Sequence, residues 1–241
     1  FSGTSVDRVE FDGVAAMDVH TNRGAVSAEK VLAALGRAAA VDGMCLENAG
    51  VHLDDRGYIA VDEHLCAAPG IYAAGDVIGP PALASTSMEQ GRRAARHALG
   101  MAASDGFDVI PVGVYTIPEL AGAGLTEEAA RAQFGDVLVG RAKYSELARS
   151  MIKGNHDDGF LKIIADPNGE RILGVHCAGD SAAELVHVGQ LAMIGGLTVE
   201  DLIDHVFNFP TMAEAFRVAA LDVLGARDRR AQHALAVAAH P

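Results

Sequence analysis

The residue pair with the clearest chemical potential is Gly75-Asp76, which closes the short apolar run Ile71-Tyr72-Ala73-Ala74. A glycine at that point lets a ligand approach the backbone closely. The carboxylate beside it can accept hydrogen bonds from the hydroxyls of a ribose or a ribityl chain. The same dipeptide also serves as a plain turn, in which the Asp satisfies nearby amides. Thr211-x-x-Glu214 fits a helix capping box, and that structural role accounts for both residues without any chemistry. Thr198-x-x-Asp201 repeats the pattern with a shorter acid. The ten histidines are dispersed, and no H-E-x-x-H occurs. His176 and His187 fall in apolar segments, where a hydrogen-bonded structural histidine is expected, and nothing marks His205 as a base. Cys45, Cys66 and Cys177 form no C-x-x-C, so neither a zinc site nor a redox pair is written here, and no metal is expected. The patterns G-x-S-x-G, G-x-x-x-x-G-K-[ST] and G-x-G-x-x-G are also absent.

Val6 to Phe11 and Val14 to Thr21 are extended, with Asn22-Arg23-Gly24 supplying a hairpin turn. Lys30 to Leu35 is a short apolar run consistent with a strand buried on both faces. Gly57 to Val61 and Ile71 to Ala74 predict two more strands, the second ending at Gly75-Asp76. A helix then runs from Ala84 to Leu99, with Gly100 beyond it. This order places Asp76 at the carboxyl end of a buried strand, where α/β sheets bind ligands. Further on, Val109 to Thr116, Asp136 to Lys143, Phe160 to Ala165 and Arg171 to Cys177 predict strands. The last two are joined by the turn Asp166-Pro167-Asn168-Gly169. Helices are expected over Thr126 to Phe134 (Thr126 at the N-cap), Ser181 to Ile194, from Thr198, and from Thr211 to Leu224 with Gly225 as the stop. The alanine-rich end after Arg227-Asp228-Arg229-Arg230 either frays or extends the last helix. The fold class is α/β for the first part and α+β for the second.

Composition narrows the partners. Over 241 residues the formal charge is −13, which argues against a nucleic-acid partner, because phosphate binding draws on clustered Lys and Arg. Half the residues are hydrophobic and a fifth are charged, the make-up of a folded chain with a substantial core. No apolar run reaches the length of about 18 residues that a membrane helix needs, and no leader opens the chain. The expectation is therefore a cytoplasmic protein without membrane contact. The first residue is Phe1, so the chain is expected to start part-way through a longer protein.

The order of several segments carries a resemblance. Leu32-Ala33-Ala34-Leu35-Gly36-Arg37 comes first, then Gly70-Ile71-Tyr72-Ala73-Ala74-Gly75-Asp76-Val77 and Gln90-Gly91-Arg92. Tyr115-Thr116-Ile117-Pro118-Glu119, Gly174-Val175-His176 and Phe209-Pro210-Thr211-Met212-Ala213-Glu214 follow. In this order the chain resembles the FAD-dependent pyridine nucleotide–disulfide oxidoreductases over essentially all of residues 1 to about 227.

The resemblance implies a domain plan. Residues 1–37 look like the end of an NAD(P)-binding domain, 38–107 like the C-terminal segment of an FAD-binding domain, 108–229 like a dimerisation domain, and 230–241 like a tail. Both glycine-rich dinucleotide loops would precede Phe1, so the chain alone is expected to be inactive. By carry-over, Gly75 and Asp76 would meet the ribityl chain of FAD, and the backbone of Leu83 and Ala84 would lie near the flavin ring. Gly36 and Arg37 would face the dinucleotide on the nicotinamide side, although Ala38-Ala39-Ala40 replaces the polar turn usual there. Disulfide reductases of the family carry His-Pro where this chain has Phe209-Pro210. Phenylalanine cannot shuttle a proton. No catalytic side chain is therefore assigned. Within the family the chain is most similar to the soluble pyridine nucleotide transhydrogenases. That implies hydride transfer from NADPH through FAD to NAD+ and a homodimer formed through residues 108–229. Two alternatives are a dihydrolipoamide dehydrogenase-like disulfide reductase and a non-catalytic homodimerisation module.

Overall fold

The computed structural model describes residues 1–102, 109–154 and 159–238. The chain separates into two compact units, Phe1–Ala82 and Leu83–Pro241. The sequence-derived boundary between residues 107 and 108 lies outside the described residues.

In the first unit, β1 (Val6–Phe11), β2 (Met17–Thr21) and β3 (Gly24–Ala28) form an antiparallel sheet in that order. The hairpin at Asn22-Arg23-Gly24 forms where the turn residues predict it. Val9 pairs with Val19 and Val19 with Val26, while Phe11 pairs with Met17 and Met17 with Ala28. Paired residues share a face, so these six apolar side chains line one side. Arg8, Glu10, Asp18 and His20 line the other.

Lys30–Leu35 does not form the expected buried strand. Leu32 and Leu35 are about nine-tenths exposed, because the run finds no partner strand among the described residues. Gly57–Val61 is likewise reduced to a single bridge between Leu53 and Ile59. β4 (Cys66–Ala68) and β5 (Ile71–Tyr72) make a short antiparallel pair. The strand expected over Ile71–Ala74 is thus only two residues long, and Ile71 is exposed. Val41, Val51, Ile59 and Ala68 form the small core behind it.

The second unit opens with α1 (Ala84–Ala98), followed by β6 (Val112–Val114), β7 (Leu120–Gly124) and α2 (Glu127–Phe134). Then come β8 (Leu138–Lys143), α3 (Ala148–Ile152), β9 (Phe160–Ala165) and β10 (Ile172–Ala178). α4 (Ala182–Ile194), α5 (Asp201–Asp204) and α6 (Glu214–Ala238) complete the unit. The five strands form one antiparallel sheet in the order β6-β7-β10-β9-β8. On one face Leu161, Ile163 and Val175 are wholly buried together with Val186 of α4 and Phe216, Ala219, Ala220 and Val223 of α6. α2 covers part of the opposite face, where Ala130 packs with Val137, Ile164 and Leu173. Gly140 of β8 is required by this packing. A Cβ there would stand 2.0 Å from the Ala219 carbonyl oxygen and 2.7 Å from Val223.

Several local expectations hold. Thr126 caps α2, its Oγ1 accepting from the Ala129 amide at 3.2 Å. Thr198 and Asp201 cap each other: the Thr198 amide donates to the Asp201 carboxylate at 2.7 Å, and the Asp201 amide donates to Thr198 Oγ1 at 3.1 Å. The box at Thr211 is only half built. Its amide reaches Glu214 Oε2 at 3.3 Å, but its hydroxyl donates to the Asn208 carbonyl. α6 consequently begins at Glu214, and it continues through Gly225 to Ala238 instead of stopping there. Strand β7, with its Leu-Ala-Gly-Ala-Gly sequence, has no counterpart in the sequence-based reading.

Candidate flavin- and dinucleotide-binding residues

The first unit gathers four of the six sequence-predicted site residues. β5 ends at Tyr72, and Gly75 then turns with φ 87° and ψ −159°, a conformation open at little cost only to glycine. A single 3-10 turn over Asp76–Ile78 follows, fixed by the Ile78 amide donating to Gly75 O at 3.0 Å. The Ile59 amide donates to Val77 O at 3.0 Å and ties this turn to the unit's core. Asp76 is thereby held on a turn and not on a long buried strand.

Its carboxylate is not solitary. Arg37 Nη1 donates to Asp76 Oδ2 at 2.7 Å. The Arg37 side chain is 79% exposed and that of Asp76 34%, so the pair contributes at most about 1 kcal/mol and exchanges easily for another partner. Gly36, with φ 92°, makes the bend that delivers Arg37. A cavity of about 460 Å³ is lined by Arg37, Ala38, Ala39, Ala40, Asp76 and Val77. One acceptor, one cation and small walls suit a hydroxylated chain that carries negative charge, so the residues present fit the dinucleotide cofactor that the sequence resemblance implies. The 39-residue separation of Arg37 and Asp76 leaves no trace in local pattern, which is why sequence reasoning assigned the two separately.

Leu83 and Ala84 belong to the second unit, at the start of α1. Leu83 is the N-cap residue and provides no side-chain cap, so the first turn is not closed in the way Thr126 closes α2. The Leu83 carbonyl accepts from Thr86 Oγ1 at 2.9 Å and Ser87 Oγ at 2.8 Å, which locks the turn. An uncapped helix start offers backbone N–H groups and a positive dipole end to developing negative charge.

The remaining titratable residues play other parts. His176 Nε2 bonds Leu125 O at 2.9 Å across two strands, the structural role expected of it. His187, by contrast, is exposed and bonds Gln190. Cys177 is buried in β10, and burial pushes its thiol up to about 12. Cys45 is exposed, and Cys66 donates to Ala68 O. Phe209 is 73% exposed, while Phe207 stacks on Phe216 with ring centroids 6.5 Å apart. Among the described residues no cluster of three or more His, Cys, Asp or Glu is placed to hold a metal ion. No helix among them is long and apolar enough to cross a membrane.

Two family descriptions match the chain. Residues 2–91 match the pyridine nucleotide-disulphide oxidoreductase model, and residues 110–220 match the dimerisation domain of the same family. The chain is 42% identical over 223 residues to a soluble pyridine nucleotide transhydrogenase of Mycobacterium bovis, which covers 92% of this chain and 47% of that protein. It is 45% identical over 204 residues to the soluble pyridine nucleotide transhydrogenase of Erwinia tasmaniensis, covering 83% of this chain and 44% of the relative. The chain thus spans about half the length of the curated relatives it matches. Among solved structures it is similar to LpdA from Mycobacterium tuberculosis, with a TM-score of 0.81 and 28% identity over 92% of this chain and 48% of that one. The HOCl-induced flavoprotein disulfide reductase RclA from Escherichia coli is similar at a TM-score of 0.80 and 27% identity, over 90% of this chain and 50% of that one.

Proposed function

The chain belongs to the pyridine nucleotide-disulphide oxidoreductase family, and on that premise we propose that it serves an FAD-dependent soluble transhydrogenase that moves hydride from NADPH to NAD+. The observation that carries this reading is the 42% identity to a transhydrogenase across 92% of the chain. When bound, FAD supplies the hydride chemistry, and the protein supplies position and electrostatics. Asp76 would accept from hydroxyls of the cofactor, and Arg37 beside it would answer negative charge. The start of α1 at Leu83 and Ala84 would favour electron density building up on a flavin ring held beside it. None of these residues has to give or take a proton.

The side chains that thiol chemistry would need support the same reading. By the sequence resemblance, Phe209 would stand where disulfide reductases of the family carry histidine. Cys177 is buried with its thiol held neutral, the opposite of a reactive thiolate. The similarity to RclA favours a second reading, a flavin-dependent disulfide reductase, whose thiol pair would lie outside these 241 residues.

We further propose a cytoplasmic homodimer formed through residues 108–229. The exposed Leu191 and Ile194 on α4 and Val206 and Phe209 before α6 are apolar positions suited to such an interface. In the full-length protein with flavin bound, NADPH is expected to reduce an NAD+ analogue such as thio-NAD+. Absence of turnover in a fully flavinated preparation would overturn the transhydrogenase reading. Sedimentation of the 241-residue chain checks the dimer separately.

A further inference from the structure

A second cavity, of about 680 Å³, lies within the Leu83–Pro241 unit, at the end of the five-stranded sheet where β7 stops and β10 begins. Its volume falls in the range of small-molecule sites, roughly 300–1,000 Å³. The unit's two cores meet on its walls. Val109, Ile172 and Met193 come from the core under α4 and α6, and Leu125, Phe134 and Leu173 from the core under α2. A Cβ on Gly124 would stand 2.8 Å from Met193 Sδ, so the sulfur rests against bare backbone there. An aromatic ring and a thioether on apolar walls suit a ligand that is itself aromatic.

Among the described residues only two charged side chains line the cavity, Glu170 and Arg171, in the turn that leads into β10. Their backbone is tied down. The Glu170 and Arg171 amides donate to Asp166 Oδ1 at 2.8 and 3.1 Å, and the Glu170 carbonyl accepts from the Val199 amide at 2.8 Å. Neither side chain has an ion pair or a hydrogen bond among the described residues, not even with the other. Two opposite charges thus stand side by side on a fixed rim without protein partners. A ligand with only a carboxylate would meet Glu170, and one with only an amine would meet Arg171. A zwitterion complements both.

From this combination we infer that the cavity binds a free aromatic α-amino acid. The ring would lie among Leu125, Phe134, Leu173 and Met193, with the carboxylate accepting from Arg171 and the ammonium donating to Glu170. The inference concerns the chain's own binding and does not depend on the hydride-transfer reading.

Titration of the 241-residue chain with tryptophan, followed by NMR of isotope-labelled methionine methyl groups, tests it. A saturable shift of the Met193 methyl is expected, with a dissociation constant on the order of 1 mM for so small a ligand at an open rim. Tryptamine lacks the carboxylate and indole-3-propionate lacks the ammonium, and each should bind about fivefold more weakly than tryptophan. Arg171→Gln should abolish the preference over tryptamine, and Glu170→Gln the preference over indole-3-propionate. Both residues are exposed, so circular dichroism should show the fold intact. No saturable Met193 shift up to the solubility limit of tryptophan would overturn the inference. So would either analogue binding the unaltered chain as tightly as tryptophan does, or folded variants that keep both preferences in full.

Discussion

The sheet β1–β3 and the five-stranded sheet β6-β7-β10-β9-β8 obey the same alternation and end in different circumstances. In the small sheet Val9, Phe11, Met17, Val19, Val26 and Ala28 line one face, yet Val9, Phe11 and Val26 are 42%, 60% and 49% exposed. In the large sheet the equivalent positions Leu161, Ile163 and Val175 are wholly buried under α4 and α6. Alternation decides which face is apolar, but a second layer decides whether that face stabilises anything. The second unit contains its own second layer. Among the described residues the small sheet has none.

The large sheet should respond most strongly to substitution. Phe216→Ala removes a fully buried ring from the centre of the helix-on-sheet layer and should cost about 3–5 kcal/mol, read as a lower urea midpoint for the second unit. Gly140→Ala forces a methyl against the backbone of α6 and should cost about 1–3 kcal/mol by the same measurement. A destabilisation under about 0.5 kcal/mol for either variant would mean that α6 does not seat on β8 and β9 as described.

Alkaline pH probes the same layer from another direction. The Cys177 thiol is raised by burial from its ordinary 9.0 to about 12, and burial also raises the Tyr144 phenol. The unfolded chain therefore ionises first. Stability should be undiminished by Cys177 below pH 9 and should fall progressively as pH rises toward 12. Cys177→Val should flatten part of that fall. In native buffer Cys45 should react at once with a thiol reagent and Cys177 only as the unit opens.

The smallest effect belongs to the small sheet. Phe11→Ser on its open face should change folding stability by no more than about 0.5 kcal/mol, because the ring already stands in solvent. A loss as large as that of Phe216→Ala would show that the face is covered and would erase the contrast.

What could be read from the sequence follows the same division. The turns, the caps of α2 and α5, and strands β8, β9 and β10 depend on residues close together in the chain, and these matched expectation. Lys30–Leu35 failed because an apolar run states only that burial is possible, whereas a strand also needs a neighbour to pair with. β7 went unread because Gly and Ala have weak strand preference. Its glycines answer a tertiary demand instead: Gly122 lies against His176, and a Cβ on Gly124 would stand 2.4 Å from the Leu173 carbonyl oxygen. α6 passes Gly225 because Val223 is buried before it and, beyond it, Arg227 pairs with Glu200 and Arg230 with Asp136, contacts that offset a glycine penalty of about 1 kcal/mol. At the candidate site, Asp76 was legible from Gly75 beside it, but its pairing with Arg37 was not. The two residues come from segments 39 positions apart.

The proposed hydride transfer passes through a bound flavin without thiol chemistry. The most direct test is NADPH-dependent reduction of thio-NAD+ by the flavin-loaded full-length protein, before and after exhaustive alkylation of its cysteines under reducing conditions. The same turnover is expected in both samples. Turnover abolished by alkylation while the flavin remains bound would contradict it and would place the protein with the disulfide reductases.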